Sequence, residues 1–174
     1  QADGLVAAIG FGVVGILGVE EVHQRRVEQA ADTLAVGGRH RMRFAHAQLV
    51  EFRQQDLFET DLSQADVLTM YLLPYLNLKL RPTILDMKPG TRVVSHAFTM
   101  GEWEPDETLS HDMARAYLWI VPAKVDGTWN LQAGSRHYSV RLSQKYQHVS
   151  GTAKLGTKEL PLREVNLDGA NIRF

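Results

Sequence analysis

The sequence predicts an α/β domain: a mostly parallel sheet flanked by helices, followed by a C-terminal antiparallel β meander. Three observations carry this. Val67-Leu68-Thr69-Met70-Tyr71-Leu72 is an unbroken apolar run of strand length with a helical segment directly after it, the pattern of a strand buried on both faces of a parallel sheet. Val50-Glu51-Phe52-Arg53 alternates like a half-buried strand and runs into a loop carrying Asp56, Glu59 and Asp61. Beyond residue 112 the texture changes from helices and strands to strands alone. We therefore expect one domain over 1–174, with an α/β core at 1–112, a β-rich portion at 113–174 and no separate linker between them.

Length and charge narrow the classes. A chain of 174 residues can bury a sizeable core without staples. The net charge of −1 makes no broad electrostatic case for nucleic acid or for an anionic membrane. With no cysteine there is neither a disulfide framework nor a thiolate metal site or nucleophile, and no compartment is indicated. The apolar opening Leu5–Val19 is too short and too rich in glycine to read as a membrane span, and it lacks the basic flank of a signal peptide. Gln1 opens in mid-pattern, so a processed or truncated N-terminus is expected.

Leu5–Ile9 and Val13–Val19 read as strands. Between them Gly10-Phe11-Gly12-Val13-Val14-Gly15 fits G-x-G-x-x-G, but that fingerprint has meaning only between a strand and a helix, with an acid about 20 residues on. Here that acid is missing, and Val36-Gly37-Gly38-Arg39-His40-Arg41 stands in its place. Glycines that permit close backbone packing are the plainer account. Glu20–Ala35 is an amphipathic helix, with Val22, Val27, Ala30, Ala31 and Leu34 near one face, acids at its positive end and Gly37-Gly38 after it. His40 and His46 have no metal-ligand spacing, and no metal site is expected.

Pro74–Met87 reads as a helix, with Pro82 predicting a kink or a break. Arg92–Thr99 is the next strand, and His96 alternates there with Val94 and Phe98, as a half-buried or a catalytic histidine would. Met100–Asp112 is expected to be an acidic loop around Trp103. Ala116–Pro122 and Thr128–Gln132 form an expected hairpin about Val125-Asp126-Gly127, and Tyr138–Leu142, Lys145–Ala153 and Leu160–Leu167 continue the meander. Gly151, Gly156 and Gly169 are read as turns. In an open parallel sheet, ligands bind at the carboxyl ends of the strands, which is where Asp56 and Tyr71 fall.

Several blocks resemble one family. Asp56-Leu57-Phe58, Tyr71-Leu72-Leu73-Pro74, Asn77-Leu78-Lys79-Leu80-Arg81-Pro82, Lys88-Pro89-Gly90-Thr91-Arg92-Val93-Val94-Ser95-His96, Trp103-Glu104-Pro105-Asp106 and Tyr117-Leu118-Trp119-Ile120-Val121-Pro122-Ala123 are similar to a branch of the class I S-adenosylmethionine-dependent methyltransferases. The likeness covers residues 47 to 135 well and the remainder more loosely. It implies a Rossmann-like sheet with helices on both faces and S-adenosylmethionine as methyl donor. It also implies an adenine-side acid at Asp56 beside Leu57, a ribose acid at Glu20, and a remnant of the first glycine-rich loop at Asp3-Gly4. Tyr71 to Pro74 would lie beside the transferred methyl, and Tyr71, Asn77 and His96 are the candidate catalytic residues. Two departures stand out: Leu5 replaces the family's arginine, and Glu20-Glu21-Val22-His23 replaces its acid-x-acid-Pro.

A sulfonium methyl is already activated, so transfer needs mainly positioning and desolvation, and no visible triad is required. The implied partners are the small-molecule donor and an unidentified protein or small-molecule acceptor, without nucleic acid or membrane. A second copy completing the sheet is an alternative arrangement. Two other readings stand beside methyl transfer. One is a methyltransferase-like scaffold repurposed as a cofactor-independent hydrolase using Asp56, Glu59, Asp61 or His96, and the other is a non-catalytic binding module.

Overall fold

Strand β4 (Val67–Tyr71), helix α1 (Pro74–Leu85) and strand β5 (Arg92–His96) follow one another along the chain, and the two strands are neighbours inside a seven-stranded sheet. The structure, a computed structural model, describes residues 4–10, 13–19, 50–53, 56–112 and 114–174. The predicted helix at 20–35 and the histidines at 40 and 46 lie outside the described residues. The chain divides into two compact units, Gln1–Ile120 and Val121–Phe174.

In the first unit β4 and β5 are joined by β1 (Gly4–Gly10), β2 (Val13–Val19), β3 (Val50–Arg53), β6 (Glu107–His111) and β7 (Ala114–Ile120). Their order is β3-β2-β1-β4-β5-β7-β6. It begins like a doubly wound sheet, but among the described residues only the β1–β4 and β4–β5 pairs are parallel, and the other four pairings are antiparallel. The expected mostly parallel sheet is therefore corrected to a parallel centre within an antiparallel surround. Chain length explains part of this. A parallel neighbour needs a crossover of a dozen or more residues, and β2 starts three residues after β1 ends, with Gly10 opposite Val13. The same pairing answers the glycine fingerprint: a strand, and not a helix, follows it.

One face of the central strands is sealed. Leu68, Met70, Val93, Ser95 and Trp119 share that face by register, and so do Ala7 and Ile9, all of them buried. Helix α1 turns Asn77, Leu80 and Ile84 inward and fixes itself through Asn77 Nδ2, which donates to Ser95 Oγ at 3.0 Å. Pro74 occupies its first turn, where no N–H is needed. Pro82 lies near its last turn, and the helix runs on to Leu85 without the predicted break. Trp119 Nε1 donates to the Trp103 carbonyl at 2.9 Å, so both fully buried indoles tie β7 to the segment after β5.

Three further expectations are corrected. Residues 100–112 are not all loop, because β6 forms there as an edge strand exposed along its whole length. Such a strand has no buried face and hence no hydrophobic period to read. The strand predicted over 92–99 stops at His96, where Ala97 takes a positive φ of 65°. The expected hairpin between 116–122 and 128–132 does not form: β7 pairs with β5 and β6, while β8 (Gly127–Ala133) pairs with β9 (Arg136–Lys145). Pro122 cannot donate to a ladder, and the following turn is held by Gln144. Its Oε1 accepts from the Val125 N–H at 2.7 Å, and its Nε2 donates to the Ala123 carbonyl at 2.8 Å.

The second unit is the expected antiparallel meander. Its four-stranded sheet runs β11-β10-β9-β8, with β10 at His148–Leu155 and β11 at Lys158–Pro161, and a two-stranded ribbon joins β12 (Asn166–Asp168) to β13 (Asn171–Arg173). Gly156 and Gly169 are turn residues with positive φ, but Gly151 is not. It sits in β10 opposite Leu142, where a Cβ would be driven into the Arg141 carbonyl oxygen.

Candidate active site

Strands β1, β3, β4 and β5 run in one direction, because β2 is antiparallel to both of its neighbours. Their carboxyl ends therefore share an edge. Tyr71 ends β4 and His96 ends β5, one position beyond the Met70–Ser95 pair. Their half-buried rings meet there at 5.0 Å between centroids, tilted by 41°. Asp56 follows β3 on the same edge. Its loop reaches α1, where Lys79 Nζ lies 3.7 Å from the centre of the Phe58 ring. Leu57 is half-buried beside Asp56, and Pro74 is exposed at the start of α1.

The acidic loop is ordered by its own carboxylates. Asp56 Oδ1 accepts from the Phe58 N–H at 2.8 Å, and the Asp56 carbonyl accepts from Thr60 Oγ1 at 2.8 Å. Asp61 Oδ1 accepts from the Ser63 N–H at 2.9 Å. The Ser63 side chain and then its backbone hold the Asp61 carboxyl below the usual carboxylate range. That shift is opposite to what a general acid needs. Asp56 and Asp61 thus each accept a backbone N–H within the loop's own turns.

The segment after β5 is strained. Phe98 N–H donates back to the His96 carbonyl at 2.8 Å across Ala97, a γ-turn of the rare positive-φ form. A non-glycine residue held there costs about 1–3 kcal/mol and persists only where its surroundings over-determine it. They do so here. Ala97 N–H donates to the Arg115 carbonyl at 2.8 Å, Asn77 Nδ2 reaches the Phe98 carbonyl at 3.3 Å, and Arg81 Nη1 donates to the Met100 carbonyl at 2.8 Å. Gly101 closes the turn at φ +68°, and a Cβ there would stand 2.9 Å from Leu78 Cδ2.

Not every predicted residue joins this edge. Asn77 is wholly buried under it, bonded to protein groups and out of reach of an acceptor. Gly4 opens β1 opposite Val19, and Gly10, at the other end of the strand, pairs with Tyr71. Gly4 therefore lies about 20 Å from the Tyr71 level at the usual strand rise. Asp3 and Glu20 lie outside the described residues. Arg81 was missed by sequence reasoning, although its i, i+4 spacing from Asn77 on a helix would have paired them. Among the described residues no cluster of three or more His, Cys, Asp or Glu could hold a metal, and no helix is long and apolar enough to cross a membrane.

Residues 8–107 match the ANTKMT methyltransferase domain. A protein-lysine N-methyltransferase of Saccharolobus islandicus (strain REY15A) is 36% identical over 122 residues, covering 67% of this chain and 71% of that protein. The crystal structure of an RNA methyltransferase from Salinibacter ruber in complex with S-adenosyl-L-homocysteine is 52% identical, with a TM-score of 0.44, and the likeness covers 45% of this chain and 52% of that one. The chain thus spans about half the length of that solved relative.

Proposed function

Because the chain belongs to the ANTKMT methyltransferase domain family, we propose that it moves the methyl group of S-adenosylmethionine onto a lysine side chain of a protein, at the edge formed by Asp56, Tyr71 and His96. The observation that carries this reading is the Tyr71–His96 pair, 5.0 Å apart at the carboxyl ends of two parallel strands. Ligands of open sheets bind at that edge. The lysine acceptor follows the curated relative's name.

The residues on the edge fit a nucleoside donor. Asp56 is exposed, and its turn to Phe58 uses one carboxylate oxygen. The other oxygen can accept from the exocyclic amine of the adenine, with half-buried Leu57 flanking the base. Pro74 fixes where the chain leaves β4 and so shapes the floor beside the reacting groups. When bound, the sulfonium supplies a methyl carbon already open to attack.

The protein's task is to present a neutral amine in line with that carbon and to keep water out. The Tyr71 hydroxyl orients the amine. The His96 imidazole, set against the Tyr71 ring at this edge, takes up the proton that the amine sheds. Leu73, Tyr75 and Phe98 are exposed apolar side chains on the same edge, suited to the aliphatic stem of lysine.

Calorimetry of the full chain with S-adenosylmethionine should show saturable binding, and Asp56→Ala should weaken it at least tenfold. His96→Ala should leave donor affinity within about twofold while turnover on a lysine-containing protein pool falls ten- to a hundredfold. Absence of donor binding to the unmodified chain would overturn the reading, and methyl incorporation into RNA in place of protein would replace the acceptor.

A further inference from the structure

We infer that Asn77 and Arg81, one turn apart on α1, are positioning residues that clamp the strained turn after β5 and thereby hold His96 against Tyr71. Asn77 reaches both sides of the turn, donating to Ser95 Oγ at 3.0 Å before it and to the Phe98 carbonyl at 3.3 Å after it. Arg81 extends the grip to the Met100 carbonyl at 2.8 Å. Between them Leu78 packs against Gly101, whose φ of +68° favours glycine at that point of the turn.

The orientation of the Asn77 amide supports this assignment. A carbonyl can pair only with its NH₂, so the Phe98 carbonyl dictates which way the amide faces. That choice leaves Asn77 Oδ1 buried without a partner, a cost that a residue serving packing alone would avoid. Released from the clamp, Ala97 would relax from φ 65° toward ordinary extended backbone. His96 is the residue immediately before it, and its ring would lose its place beside Tyr71. The inference rests on the proposed function for its catalytic meaning but not for its geometry.

The test therefore reads geometry and turnover separately. In Asn77→Leu, the Phe98 amide should exchange with solvent at least tenfold faster, and the ring-to-ring NOE between Tyr71 and His96 should fade. Arg81→Met should do the same to a smaller degree, and Arg81→Lys, which keeps a donor, should stay close to the unmodified chain. Turnover should fall about tenfold with donor affinity within twofold. Should the chain bind no donor, the exchange and NOE measurements still decide the clamp. An unchanged Phe98 amide and an unchanged ring contact in folded Asn77→Leu overturn it, and if that variant fails to fold, the same result in Arg81→Met does so.

Discussion

The two units are held together in opposite ways. In the first, β4 pairs with strands distant in sequence on both sides, and one face of the sheet is sealed by α1 and by Trp119, which is 0% exposed. In the second, β8 to β11 each pair with the strand next in sequence, and β8 is exposed along nearly all its length. Its buried apolar side chains are few, chiefly Val121, Val140, Leu142 and Leu167. The first unit depends on side-chain burial, while backbone ladders carry more of the second. Strain such as that at Ala97 belongs where a rigid, well-buried support surrounds it. The candidate active site accordingly lies on the first unit.

That contrast can be broken most sharply at Trp119. Trp119→Ala removes a fully buried indole and its bond to the Trp103 carbonyl, and should cost about 3–5 kcal/mol of stability in urea unfolding. The counterpart in the second unit is Gly151. Gly151→Val forces side-chain atoms into the Arg141 carbonyl, and such overpacking should cost about 1–3 kcal/mol. Hydrogen exchange should show the loss in β9 and β10 while β4 and β5 keep their protection; equal loss in both units would mean that they unfold as one.

The smallest effect concerns Asp61, fully exposed on the acidic loop. Its carboxyl is depressed by the Ser63 side chain and backbone, so what it contributes is present above its unfolded pKa and lost as pH falls through the lower folded value. Ser63→Ala should raise the Asp61 pKa toward the ordinary carboxylate value in an NMR titration, with almost no change in stability, since the group is fully solvated.

Residues whose environment imposes a period were legible in the sequence. Val67–Met70, buried at every position, reads directly as a central strand, and Tyr138, Val140 and Leu142 alternate with exposed neighbours as a one-faced strand should. Strand β6 escaped because all its side chains face water. At the candidate site, the sequence places Asp56 and Tyr71 at strand ends, where ligands of open sheets bind, and marks His96 on the next strand; that the Tyr71 and His96 rings meet depends on the β4–β5 register, which the sequence does not carry. The γ-turn was invisible because positive φ is usually announced by Gly, Asn or Asp, and here it falls on alanine. Asn77 was noticed for its chemistry, but its burial depended on how α1 meets β5, which no local pattern encodes.

The strand order has one further consequence, for the time course of folding. Strand β5 lies between β4 and β7, so Val93 gains Trp119 opposite it only after residues up to Ile120 have been synthesised. Until then the emerging chain carries a half-covered apolar strand with an open edge, the kind of surface that recruits chaperones or aggregates. The meander that follows needs no such wait, since each of its strands meets the previous one within a few residues. A chain released at residue 107, where the family match ends, would keep Asp56, Tyr71 and His96 but lack the strand that covers β5.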